Sequence, residues 1–255
     1  MDEKNLHEDP VALGLSAAVE LAQLTDRPLF ALTAQPRPDA RFKSLFVGND
    51  ATLVQLFNNP RRLRKAGFSL EHDGNSRIVM GELRRVLIPG WKTMELWREG
   101  VLIYAVDAFV QPLWGSPRPD GSLQLNPLAL AEPVYLFAEL SRLIYEESTQ
   151  KPQRVEYRIR LEGLVQDGKR ASLSAGPLNS FFFGHASQYP APDPNMDKRI
   201  MWERGDIESG AVAYELVQEV YNWFGISNDG IPYTEKDANG ATVIDPEALK
   251  RAGAQ

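Results

Sequence analysis

The chain has 255 residues, of which 43% are apolar and 24% charged, with a net charge of −6, no cysteine and three histidines. That is the composition of an ordinary soluble protein able to bury a core without disulfides. It excludes a disulfide framework, a thiolate zinc site and thiol chemistry, and the acidic balance gives no general attraction to nucleic acid or to an anionic membrane.

The first nine residues are polar and acidic and lack the basic start and apolar run of a secretory signal. The longest apolar run, residues 101–110, is about half of the roughly 20 residues that span a bilayer and contains Asp107. A cytoplasmic protein is the expectation, with residues 1–9 as a polar tail and 10–255 as a single domain.

Asp9-Pro10 offers an N-cap acceptor and a first-turn proline, and Val11, Leu15, Ala18, Val19 and Ala22 follow at helical spacing until Asp26-Arg27-Pro28. Residues 29–33 read as a strand and 42–47 as another. Asp50 caps a helix reaching Phe57, and Pro60 opens a basic helical turn that ends at Gly67. Residues 68–71 and 77–80 flank Asp73-Gly74, a hairpin signal. Residues 83–88 continue the strands. Residues 94–97 and 101–106 form a second hairpin around Arg98-Glu99-Gly100, and 113–114 with 123–125 a third.

Asn126-Pro127 caps the longest helical pattern, to about Glu147, with Pro133 predicting a kink or restart. Val155, Tyr157, Ile159 and Leu161 alternate with Glu156, Arg158, Arg160 and Glu162, a strand with one buried and one wet face, whose charges are expected to pair across strands. Asp167-Gly168 turns it back into 171–173. From Gly184 to Arg204 no period is visible, and Tyr189-Pro-Ala-Pro-Asp-Pro194 reads as loop. A helix follows over 209–224 with Gly225 as its C-cap, then a short strand at 243–244 and a terminal helix capped by Asp245. Strands in runs, linked by hairpins and interspersed with about four helices, predict an α+β fold with a mainly antiparallel sheet.

Catalytic motifs are scarce. Gly163 to Arg170 fits a phosphate-binding loop except that Arg170 replaces the hydroxyl that would hold magnesium, and Asp167-Gly168 explains the segment as a hairpin turn. No paired-histidine metal motif and no Gly-x-Ser-x-Gly elbow occurs. His7 falls in the tail, His72 beside a turn, and only His185 has hydroxyl and acidic neighbours. Asp107 interrupts an apolar strand, where a carboxylate must be paired, exposed or functional.

The primary reading is therefore a non-catalytic interaction or regulatory module, with no cofactor and no metal. It binds a protein partner, another chain or a second copy, through a hairpin edge and the aromatic, proline-rich loop carrying Tyr189, Trp202 and His185. Trp91, Trp97 and Trp114 also sit near hairpins and loops, where aromatic side chains anchor partners when they are not core. Two alternatives stand beside it: nucleic-acid contact through Arg61, Arg62, Arg64 and Lys65, or a carboxylate-based hydrolase using Asp107 or His185.

Overall fold

Two strands that are apolar on both faces organise the molecule. In the computed structural model, which describes residues 9–42, 51–62, 67–72, 75–119, 121–175, 187–203, 206–245 and 247–248, β1 (Leu29–Arg37) and β5 (Leu102–Asp107) pair antiparallel at the centre of a sheet. Its seven antiparallel strands run in the order β11 (Met196–Trp202), β7 (Arg154–Glu162), β1, β5, β4 (Lys92–Trp97), β3 (Leu83–Ile88) and β2 (Arg77–Val79). The remaining strands are β6 (Leu123–Leu125), β8 (Val165–Gln166), β9 (Lys169–Ala175), β10 (Ser187–Pro190) and the pair β12 (Thr234–Lys236) and β13 (Thr242–Ile244). The described helices are α1 (Pro10–Leu21), α2 (Ala51–Asn58), α3 (Pro127–Glu146) and α4 (Ser209–Trp223). This is an α+β fold with mostly antiparallel sheets, as the run of hairpins predicts.

Because side chains alternate along a strand, the register sorts residues onto two faces. One face carries rows such as Ile159–Leu32–Tyr104–Met94 and Tyr157–Ala34–Leu102–Leu96, and it packs in one core with α3 and α4. The other face is divided. Over β1 and β5 it is apolar, with Leu29, Ala31, Ile103 and Ala105 packed on Val11, Leu15 and Val19 of α1. Over β7 and β11 it is ionic. Arg158 there is buried, donates to Asp197 at 2.6 Å and meets the Asp9 carboxylate at 3.2 Å. Asp9 also caps α1 through Val11 N at 3.1 Å, so one carboxylate fixes the helix start to the sheet. The hydrogen bond from Arg158 to Asp197 raises the guanidinium above its ordinary value, against the effect of burial.

Gly14 lies inside α1, where glycine costs roughly 1 kcal/mol relative to alanine. A Cβ there would collide with the Trp97 ring, so the close approach of helix and sheet requires the glycine. Trp97 is thereby a packing residue.

Several elements depart from the sequence reading. Leu70 is fully enclosed, but residues 68–71 pair with no strand; β2 instead turns directly into β3. Met80 and Gly81, both with positive φ, form that turn, and Asp73-Gly74 lies outside the described residues. Residues 113–114 are in a turn, and β6 pairs in parallel with β9 rather than in a hairpin. The helical run through Pro133 is continuous. Residues 60–62 are not helical, and 43–47, most of the strand expected at 42–47, lie outside the described residues, as does Asp50.

The largest difference is at 184–204. Ser187–Pro190 is an edge strand on β9, and Met196–Trp202 is the edge strand β11 on β7. Edge positions tolerate proline and outward charge, which is why the stretch shows no apolar period. Asp167 and Gly168, both with positive φ, turn β8 into β9 and close the hairpin that the phosphate-loop lookalike forms. Among the described residues no helix is long and apolar enough to cross a membrane.

Candidate functional site

Segment 67–72 has no ladder to satisfy its backbone, so side chains from other elements do that work. Glu132, fully enclosed in α3, accepts from Phe68 N at 2.9 Å and from the Tyr233 hydroxyl at 3.2 Å. Gln111 Nε2 donates to Ser69 O at 2.8 Å. The Lys92 ammonium donates to Glu71 O and lies 4.4 Å from the centre of the Trp91 ring. His72 Nε2 meets Phe57 O, at the end of α2, at 2.9 Å.

These contacts frame a cleft of about 320 Å³ between the segment, the start of β4 and the turn after β5. Phe68, Trp91 and Val110 supply its apolar wall, and Arg62, Glu71, His72, Lys92 and Gln111 its polar one. Lys92 is only 3% exposed because it pairs with Val106 and shares the core-facing phase of Met94 and Leu96. Gln111, also 3% exposed, is delivered by a 3-10 turn over Ala108–Val110. At the cleft's edge Trp114 packs against Phe68 edge to face, with ring centres 5.6 Å apart, and remains 58% exposed.

Two polar atoms of residues that line this cleft, His72 Nδ1 and Gln111 Oε1, are enclosed from solvent and have no hydrogen-bond partner of normal geometry. Native proteins leave few such atoms, and each costs about 1–3 kcal/mol when unmet. The enclosed Tyr104 hydroxyl beside Gln111 also makes no hydrogen bond of normal geometry. Burial raises that phenol well above its ordinary value, while a side-chain hydrogen bond with Gln111 acts in the opposite direction, so the two enclosed groups face each other.

A second concavity lies where β5 and β7 end. Its lining includes Asp26, Arg27, Asp107, Glu162, Asp167 and Asn195. Asp107 is buried there with both oxygens engaged: Oδ2 by Arg27 at 2.6 Å and Oδ1 by Phe109 N at 3.0 Å. It ends its strand, faces an arginine and caps the next turn. Asn195 Oδ1 accepts from Gly163 N at 3.1 Å. Among the described residues no group of three or more histidine, aspartate or glutamate side chains is placed to hold a metal.

The residues singled out from the sequence are dispersed. Trp202 is 3% exposed, belongs to the main core and donates its indole N–H to Asp206 O at 3.1 Å, so it offers almost no surface to a partner. Tyr189 is half-buried on β10. His185, Arg64 and Lys65 lie outside the described residues. Arg61 pairs with Glu139 at 3.3 Å and Arg62 with Glu71, so both basic side chains engage carboxylates. Burial pushes Glu139 upward, but hydrogen bonds from Arg142 and Ser209 and the charges of Arg142 and Arg61 hold it below its ordinary value.

The cleft residues come from three separated stretches and share no local motif. One signal was present: a strand beginning at 92 instead of 94 puts a lysine on the core-facing phase. Comparison with protein-family models, with curated proteins and with solved structures finds no match.

Proposed function

We propose that the protein is an interaction module that binds a protein partner at the face formed by Trp114, Phe68 and the adjoining cleft. The observation that carries this reading is the exposure of Trp114 beside the cleft mouth. A large ring held by an aromatic neighbour is pre-ordered, and tryptophan dominates binding energy at interfaces because it gains much area for little lost freedom.

The outer edge of the sheet extends the same side. Ser76, at the start of β2, donates its backbone N–H to Asn58, the last residue of α2, next to the Phe57 carbonyl that receives His72. Beyond it Ile78 is exposed and Met80 is 95% exposed. A short edge strand ending in an exposed methionine is an adaptable contact surface. This retains the hairpin edge of the sequence reading and moves the aromatic anchor from Trp202 to Trp114. Tyr189 stays as a second candidate contact.

Capture of a co-purifying partner by the tagged protein tests the proposal. Trp114→Ala is expected to lower recovery at least tenfold, the loss of about 1.4 kcal/mol or more typical of an anchor, with the unfolding midpoint little changed. Tyr189→Ala is expected to retain the partner. Undiminished capture by Trp114→Ala, or loss confined to Tyr189→Ala, contradicts the placement.

A further inference from the structure

We infer that β11 is a pairing edge for a second copy of this chain: two β11 strands meet antiparallel across a two-fold axis at Lys198 and join the seven-stranded sheets of two molecules. This surface is separate from the Trp114 face, and neither reading rests on the other.

The two edges of the sheet are finished differently. Hydrogen bonding alternates from side to side along an antiparallel strand, so one bond fixes the phase of the strands that follow. Arg98 N donates to Glu82 O at 2.8 Å, which assigns the even-numbered residues of β3 to β4 and the odd-numbered ones to β2. Their partners Arg77 and Val79 face inward, and within β2 only Ile78 turns its amide and carbonyl outward. The next outward amide, Ser76 N, donates to Asn58 Oδ1 at 2.8 Å, and the turn at Met80-Gly81 ends the strand. A short, capped edge of this kind resists pairing.

β11 carries no such device. Ala108 N donates to Pro28 O at 2.8 Å, which assigns the even-numbered residues of β1 to β5 and the odd-numbered ones to β7. The register then assigns the odd-numbered residues of β7 to β11, where they meet Met196, Lys198, Ile200 and Trp202. The amides and carbonyls of Asp197, Arg199 and Met201 therefore point out of the sheet. Among the described residues no strand and no backbone hydrogen bond meets them. The strand runs for seven residues in unbroken register and contains no proline. An edge lysine normally blunts such a template, but the Lys198 ammonium lies 4.0 Å from the Glu219 carboxylate of α4.

Side-chain order selects the occupant and the register. Outward groups pair with outward groups, so a second β11 can place Lys198, Arg199 or Ile200 on the axis with most of the strand overlapped. Arg199 on the axis opposes two guanidinium groups, and Ile200 there sets Arg199 against Met201. With Lys198 on the axis, Asp197 faces Arg199 of the second copy twice over, and Met196 faces Ile200 twice over. The Asp197 and Arg199 side chains remain 36% and 49% exposed, so each can add a charge-assisted bond to those it makes on its own chain. Glu219 offsets the two lysines that meet at the centre.

Sedimentation of the full-length protein is expected to show a reversible dimer, twice 28.6 kDa, in the micromolar range fitting a small interface. Arg199→Pro is expected to weaken it at least about tenfold, the effect of a lost hydrogen bond. The fold should survive, because the Arg199 amide serves no bond within the sheet. Should that variant fail to fold, Arg199→Glu, which sets a carboxylate against Asp197, replaces it. The chain has no cysteine, so Lys198→Cys reports the axis alone. It is expected to cross-link two copies on mild oxidation, since directly opposed residues of this phase stand about 4.5 Å apart. Met201→Cys is expected to remain uncross-linked. A monomer at every concentration overturns the inference. So does a dimer indifferent to both Arg199 substitutions, cross-linking at 201 in place of 198, or a dimer lost in Trp114→Ala, which moves the second copy to the other face.

Discussion

The two concavities differ in what borders them: an ion pair at the sheet end, and an exposed aromatic ring beside the cleft at Trp91. At the sheet end, Asp107 is as buried as the cleft residues, but Arg27 and Phe109 N occupy both of its oxygens. Beside Trp91, segment 67–72 is pinned as firmly, by Glu132, Gln111, Lys92 and His72, yet at its edge Trp114 stays 58% exposed. Burial alone does not mark a functional residue, since a buried charge with its partners in place is structural. A large ring held at the surface by a packed neighbour is the more informative sign.

Removing Glu132 should have the largest effect on stability, because it takes an enclosed carboxylate from the Phe68 amide and the Tyr233 hydroxyl at once. Glu132→Ala is expected to cost about 3 kcal/mol in denaturant unfolding. It should also loosen 67–72, seen as faster amide exchange there than in β7. Asp107→Ala should cost less, about 1–2 kcal/mol, because it loses a turn cap and an ion pair whose arginine is half exposed. Partner capture should be unchanged in Asp107→Ala and reduced in Glu132→Ala. The reverse pattern would exchange the roles of the two concavities.

A smaller effect is expected where α3 meets α4. Glu139 links Arg61, Arg142 and the first residue of α4, Ser209, and its carboxyl is held below its ordinary value of 4.5. A carboxylate lowered by folding contributes stability above its unfolded value and loses it as the pH falls through the folded one. Glu139→Gln should therefore be less stable than the parent by about 1 kcal/mol near neutral pH. Below pH 4.5 the two unfolding curves should converge. A gap that widens in acid would reverse the sign.

Legibility in the sequence followed the same division. β7 was readable because its faces differ, Tyr157 and Ile159 entering the core while Arg158 and Arg160 meet carboxylates. α1, α3 and α4 were readable from caps and spacing, and Asp107 from its isolation in an apolar strand. β10 and β11 were not, because edge strands need no apolar alternation and prolines flank the turn between them. The cleft was illegible for another reason. His72, Lys92 and Gln111 converge only through the register of β4 and β5 and the 3-10 turn that follows, which no local sequence pattern announces.

Partner capture by Trp114→Ala tests the central claim most directly. At least a tenfold loss of recovery, with the unfolding midpoint little changed, is the expected result. Full capture by the folded variant would contradict the placement of the contact at Trp114.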